Sequence, residues 1–141
     1  MLLGQHAIKS WSVTQAVIAL SSGEAEYYGI VKGSSVGLGI SSVLKDLGVE
    51  TKVGILTDSS AAKSLASRKG LGKARHIEVN QLWIQDTVSA GVLEMRKVKG
   101  TENVADALTK YLEKDGIEKH MRATAQEIRQ QRHKLMPTIV S

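Results

Sequence analysis

The stretch VGILTDSSAAKSLA, residues 53–66, sets the architecture. Val53, Ile55 and Leu56 form a short apolar run with β-branched members, which reads as a strand. Asp58, Ser59 and Ser60 follow at once, and these are the residue types that cap helix N-termini. Ala61, Ala62, Leu65 and Ala66 then favour helix. A strand passing directly into a helix is a building block of α/β domains, in which helices pack on a sheet. Asp58 stands at the joint, just past the carboxyl end of the strand. A plain capping role and a functional role are both open to it there.

Upstream, residues 8–20 read as a strand with Ile8, Trp11, Val13, Val17, Ile18 and Leu20, bent near Thr14 and Gln15. Ser21 and Glu24 fit a capping box, opening a helix to about Leu47, with Gly48 as a suitable C′ residue. Five internal glycines, each costing about 0.5–1 kcal/mol relative to alanine, predict a break near residues 37–39. Downstream, residues 67–75 read as a basic, glycine-containing loop and 77–90 as a helix stopped by Gly91. A strand over 92–98, a turn at Gly100-Thr101 and a helix over 102–112 follow. From Asp115 to about Leu135 the chain is helix-permissive and basic, and Pro137 ends it. The order β-α-β-α-α-β-α-α describes an α/β domain over residues 1–112, with helices flanking a mixed sheet, and a basic helical tail over 113–141.

Hydrophobic residues make up 42% of the 141, enough for one packed domain and too many for wholesale disorder. Phe is absent, so Ile, Val, Leu and Ala must build most of the core. The net charge of +5 suits a polyanionic partner without requiring one. It is concentrated: residues 63–76 hold five Lys or Arg and no acidic residue. A solvated loop and a phosphate-binding loop both fit that pattern. Arg96, Lys97 and Lys99 form a weaker second cluster.

Without cysteine there is neither a disulfide framework nor a thiolate metal site. His6, His76, His120 and His133 are scattered and form no HExxH zinc motif. The run Gly70-Leu71-Gly72-Lys73 is not a phosphate loop, because Ser67 stands where the first glycine is required. The N-terminal apolar stretch is too short for a signal peptide, and no run suits a membrane span. A soluble protein of the cytoplasm or nucleus, with no membrane partner, is the expectation.

The chemistry rests on carboxylates. Glu26, Asp58 and Asp106 each lie near a strand end or helix start among apolar neighbours. Carboxylate oxygens suit hard cations such as Mg²⁺. Asp106 also reads as an ordinary solvated helical residue. Glu24 and Glu26, two apart on a helix, point in nearly opposite directions. Glu26 shares its face with Gly29, Ile30 and Gly33, small residues that would let the helix lie close to the sheet and draw Glu26 inward. Glu24 is left with the cap.

Taken in order, ALSSGEAEYYG (19–29), LTDSSAAKSLA (56–66), KARHIEVNQLWIQDTVSAG (73–91) and VKGTENVADALTKYL (98–112) resemble the ribonuclease H domain of copia-type LTR retrotransposon polyproteins. The opening GQHAIKSWSVTQ is similar to that family's strand text, so the resemblance covers residues 4–112. It implies a ribonuclease H-like fold in which four carboxylates hold two Mg²⁺ ions and an activated water attacks the RNA strand of an RNA·DNA hybrid. By motif position Glu26, Asp58 and Asp106 are three of the four, as catalytic residues and metal ligands. Lys63, Arg68, Lys69, Lys73, Arg75, His76 and Lys99 become the expected nucleic-acid contacts, with a structural role equally open to His76. The upstream reverse transcriptase part of the polyprotein is the implied partner.

Two departures stand out. The family's first catalytic Asp lies on a first strand, and here no Asp precedes Asp46, so that strand is expected to be missing from this chain. The loop of residues 97–103 lacks the His that many ribonucleases H carry there. An inactive fragment of an active parent, and a degenerate remnant that binds nucleic acid or only folds, are the two readings. Either way, the carboxylate carbons of Glu26, Asp58 and Asp106 are expected within about 10 Å of one another, the reach of two bridged cations.

Overall fold

The computed structural model describes residues 1–70, 72, 77 and 81–127. It is a mixed α/β chain in two compact units, residues Val13–Asn103 and the pair of segments Met1–Ser12 and Val104–Ser141.

The larger unit is organised on two parallel strands, β3 (Val53–Thr57) and β4 (Leu93–Lys97), paired from Val53 opposite Leu93 to Thr57 opposite Lys97. Their inward residues Val53, Ile55, Leu93 and Met95 join a core with Tyr27, Ile30 and Val31 of α1 (Ser22–Asp46), Ala62, Leu65 and Ala66 of α2 (Ser60–Ser67), Ile77, and Ile84 of α3 (Trp83–Ser89). The strand-to-helix passage at residues 53–66 is therefore as its sequence reads.

Helix α1 runs unbroken through residues 37–39, against expectation. Five glycines cost a few kcal/mol in total. Burial of Tyr27, Ile30 and Val31 contributes about 1.5–3 kcal/mol each, so packing outweighs propensity. The helix opens with a variant of the capping box: the Glu24 N–H donates to Ser21 Oγ at 3.3 Å, while Glu24 Oε2 accepts from the N–H of Leu20, the residue before the cap, at 2.9 Å. It closes as a Schellman turn, with Gly48 N–H to the Lys45 carbonyl (2.9 Å) and Val49 N–H to the Leu44 carbonyl (2.8 Å). Gly48 takes the left-handed conformation that this motif needs, φ +80°. The end of α3 repeats the device at Gly91, φ +73°.

Three expectations fail. Residues 8–20 form no strand, and Val13, Ile18 and Leu20 are exposed. A strand needs a second backbone to take its N–H and C=O groups; Ile8 and Lys9 bond back to Met1, and beyond them no described strand pairs with the segment. Among the described residues the strands accordingly form two two-stranded pieces rather than one mixed sheet. The α-helix expected over 102–112 is instead two short 3₁₀ turns, Gly100–Glu102 and Val104–Leu108. The helix expected over 77–90 is regular only as α3; residues 78–80 lie outside the described residues.

In the smaller unit, β1 (Leu2–Leu3) and β2 (His6–Ala7) make a short antiparallel hairpin. The Ala7 N–H donates to the Thr124 carbonyl (3.2 Å) just past α4 (Lys114–Ala123). Of the basic tail, α4 is described and residues 128–141 lie outside the described residues. No described helix is long and apolar enough to cross a membrane.

Replacing Glu24 with Ala should lower stability by about 1 kcal/mol, measured as a reduced urea midpoint. Replacing exposed Glu26 should change it by less than about 0.5 kcal/mol. Burial pushes the Tyr27 hydroxyl up from 10.0 to about 12, with the Arg68 guanidinium pulling the other way. A folded pKa above the unfolded one means this contribution is complete below about pH 10 and is lost as pH rises towards about 12. Urea denaturation across that window should show the loss, and Tyr27→Phe should lack this component.

Candidate functional site

Parallel pairing brings the carboxyl ends of β3 and β4 to the same edge, where α/β proteins bind ligands. The Val98 N–H continues the ladder by donating to the Thr57 carbonyl at 3.0 Å. Beyond it the chain opens into a cleft of about 450 Å³ lined by Asp58, Lys97, Val98, Lys99 and Gly100.

The placement of Asp58 follows from its neighbours. Thr57 is buried, and its Oγ1 accepts from the Ser59 N–H at 3.1 Å, turning the chain immediately after the strand. Ser59 is the helix cap, its Oγ accepting from the Ala62 N–H at 3.2 Å. Asp58 is thereby relieved of capping. Its half-buried carboxylate faces the cleft, and no hydrogen bond or ion pair to it is found among the described residues. Gly100 comes close from the β4 side: a Cβ there would stand 3.4 Å from Asp58 Oδ2. The Lys97 ammonium donates to Ser60 Oγ, which orients it along the same edge.

Glu26 is exposed, and the buried face of α1 carries Glu24, Tyr27, Ile30, Val31, Ser34 and Gly37. The inward-facing glycine stripe is thus a misreading. Nothing lies within 4 Å of a Cβ built at Gly29 or Gly33, so those residues seat no close helix contact. The close contact is one turn earlier, where a Cβ on Gly23 would stand 3.0 Å from that of Ala61 in α2. That contact joins the first turns of α1 and α2, and Glu26 lies one turn beyond it.

Asp106 belongs to the smaller unit, on the 3₁₀ turn Val104–Leu108. Its Oδ2 accepts from Lys110 Nζ at 2.6 Å, an ion pair whose partners are partly solvated and which adds little stability. Among the described residues, no three acidic or histidine side chains gather as a metal-binding group. Of the expected nucleic-acid contacts, Lys63 lies on α2, Arg68 and Lys69 follow it, and Lys99 is exposed at the cleft. Lys73, Arg75 and His76 lie outside the described residues.

The cap at Ser59 and the turn at Thr57 escaped sequence reasoning, because three consecutive residues could each have capped α2. The Thr-Asp-Ser order was the available signal, since a Thr can accept from the backbone N–H two residues on. Because Asp58 makes no structural hydrogen bond among the described residues, Asp58→Asn should leave the unfolding free energy, read from a thermal melt, within about 0.5 kcal/mol of the parent. Ser59→Ala should cost about 1 kcal/mol in the same melt.

Comparison with curated proteins places the chain among mobile-element proteins. It is 31% identical over 112 residues to the "Retrovirus-related Pol polyprotein from transposon TNT 1-94" of Nicotiana tabacum, a match covering 77% of this chain and 8% of that protein. Against the corresponding polyprotein of transposon RE1 of Arabidopsis thaliana it is 30% identical over 119 residues, 82% of this chain and 8% of the other. Transposon RE2 of the same plant gives 32% over 113 residues, 78% and 8%. The chain therefore spans about 8% of the length of these relatives. No family model and no solved structure matches it. Identity at this level across more than two thirds of the chain means that it belongs to the retrovirus-related Pol polyproteins of transposons.

Proposed function

We propose that the chain is the ribonuclease H-like module of a copia-type transposon polyprotein, whose activity is Mg²⁺-dependent hydrolysis of the RNA strand of an RNA·DNA hybrid. The observation that carries this reading is Asp58. A carboxylate at the shared carboxyl edge of two parallel strands, replaced as cap by Ser59 and facing a cleft between lysines, has no structural use there.

In donor chemistry, the carboxylate at the cleft suits a hard cation. Glu26, Asp58 and Asp106 offer only carboxylate oxygens, and Mg²⁺ takes one or two carboxylates and keeps several waters. Asp58 would be the anchoring ligand; Glu26 and Asp106 are assigned to the metal by motif position alone, since among the described residues no three acidic side chains gather. When bound, the metal supplies a polarised phosphoryl oxygen and an activated water.

The remaining work falls to the chain's own residues. Lys97 and Lys99 at the cleft attract and orient the scissile phosphate. Gly100, lacking a side chain, leaves room for a phosphate beside Asp58. Lys63, Arg68 and Lys69, with Lys73, Arg75 and His76, hold the flanking backbone. Specificity for a hybrid would come from 2′-hydroxyl contacts across its wide, shallow groove. A fourth carboxylate and a further strand would come from the polyprotein segment preceding residue 1, next to the reverse transcriptase part.

The test is cleavage of an end-labelled RNA·DNA hybrid. A polypeptide extended upstream through an Asp-bearing strand should cut the RNA strand with Mg²⁺, and its Asp58→Asn variant should fall to background. The 141-residue chain alone should bind hybrid weakly and cut little or nothing. Tight binding without cutting by the extended polypeptide would replace this reading with that of a non-cutting remnant.

A further inference from the structure

We propose that Gln85 is a positioning residue for nucleic-acid binding: it fixes the basic turn after α2 in the conformation that meets a backbone phosphate. The proposal rests on the reading of that turn as phosphate-binding.

Turns carrying exposed cations are ordinarily mobile. This one is tied down from α3. Gln85 is 5% exposed, an unusual place for an amide unless its hydrogen bonds are made. Its Oε1 accepts from the Gly70 N–H at 2.7 Å, while its Nε2 donates to the Gly70 carbonyl at 3.1 Å and the Leu65 carbonyl at 2.9 Å. One acceptor and two donors are thus all engaged, which a primary amide alone among the side chains can do at this size. The two bonds to Gly70 grip both backbone groups of one residue, as a neighbouring strand would. The bond to Leu65 ties that grip to the last turn of α2.

The cations sit inside this frame. The Arg68 guanidinium is folded over Gly72, where a Cβ would stand 2.8 Å from Nη1, so the absence of a side chain there makes room for it. Tyr27, wholly buried beneath, donates to the Gln81 carbonyl at 2.8 Å and holds the approach to α3. Lys69, between the folded Arg68 and the clamped Gly70, is exposed. Its backbone is fixed before any ligand arrives, so less ordering remains to be done on binding. Gln85 carries no charge and would act wholly through the turn.

Two readouts on the full chain test this: amide hydrogen exchange at Gly70, and affinity for an RNA·DNA hybrid over a salt series. Gln85→Met, close in volume but without the amide, should release the Gly70 amide to faster exchange while amides of β3 and α1 keep their protection. It should weaken hybrid binding about five- to tenfold at unchanged net charge. Lys69→Ala should weaken binding and reduce the salt slope by about one phosphate contact. Unchanged exchange at Gly70, or unchanged affinity in Gln85→Met while Lys69→Ala still weakens binding, overturns the role of Gln85 and leaves the phosphate-binding turn standing. An unchanged salt slope in both Lys69→Ala and Arg68→Ala overturns the phosphate reading itself, and the role of Gln85 with it. If Gln85→Met does not fold, Gly70→Ala carries the same readouts. Its Cβ would meet open space, and only the turn, at φ +79°, would be strained.

Discussion

The parallel pairing of β3 with β4 is the constraint on which the larger unit depends. Because the strands run the same way, their carboxyl ends finish side by side, Thr57 opposite Lys97. The segments that follow, one bearing Asp58 and the other Lys99 and Gly100, therefore line one cleft. In an antiparallel pair they would leave from opposite ends. The same pairing sets Ile55 and Met95 on the inward face, where the helices cover them, and leaves Leu56, Glu94 and Arg96 outward.

Around this frame, hydroxyls take up structural hydrogen bonds that acidic residues could have made. Ser59 caps α2 and Thr57 makes the preceding turn, so Asp58 has no structural hydrogen bond to make. At the start of α1 the division falls between two glutamates: Glu24 is buried in the capping box, while Glu26 is exposed. Asp106 differs from Asp58, for it already has Lys110 as a counter-ion. Membership of a polyprotein family whose members are far longer than this chain gives these arrangements a setting, and the ribonuclease H-like reading gives them a chemistry.

Legibility followed the range of the interactions. The strand and helix at residues 53–67, the capping box at Ser21 and Glu24, and the helix stops at Gly48 and Gly91 were readable because each is made by residues within a few positions of one another. The misreadings needed distant partners. Residues 8–20 have strand-like composition, but beyond Ile8 and Lys9 no described strand pairs with them. The glycines of α1 argued for a break that burial against β3 and α2 overrode. The face assigned to Glu26 was chosen from small residues that pack against nothing, whereas the buried stripe begins at Glu24 and Tyr27.

By itself, then, the sequence determined the kind of protein: an α/β chain with a carboxylate at a strand-to-helix joint, a basic segment after α2, and a transposon polyprotein's order of motifs. Local propensity and capping are short-range properties, and a linear text carries them whole. Tertiary structure alone decided which hydroxyl caps α2, which glutamate is buried, and that Gln85 of α3 grips Gly70 across fifteen residues. Those outcomes turn on which groups lose water when distant segments meet. A polar atom that loses water must find a partner, and only the folded chain says which partner is within reach.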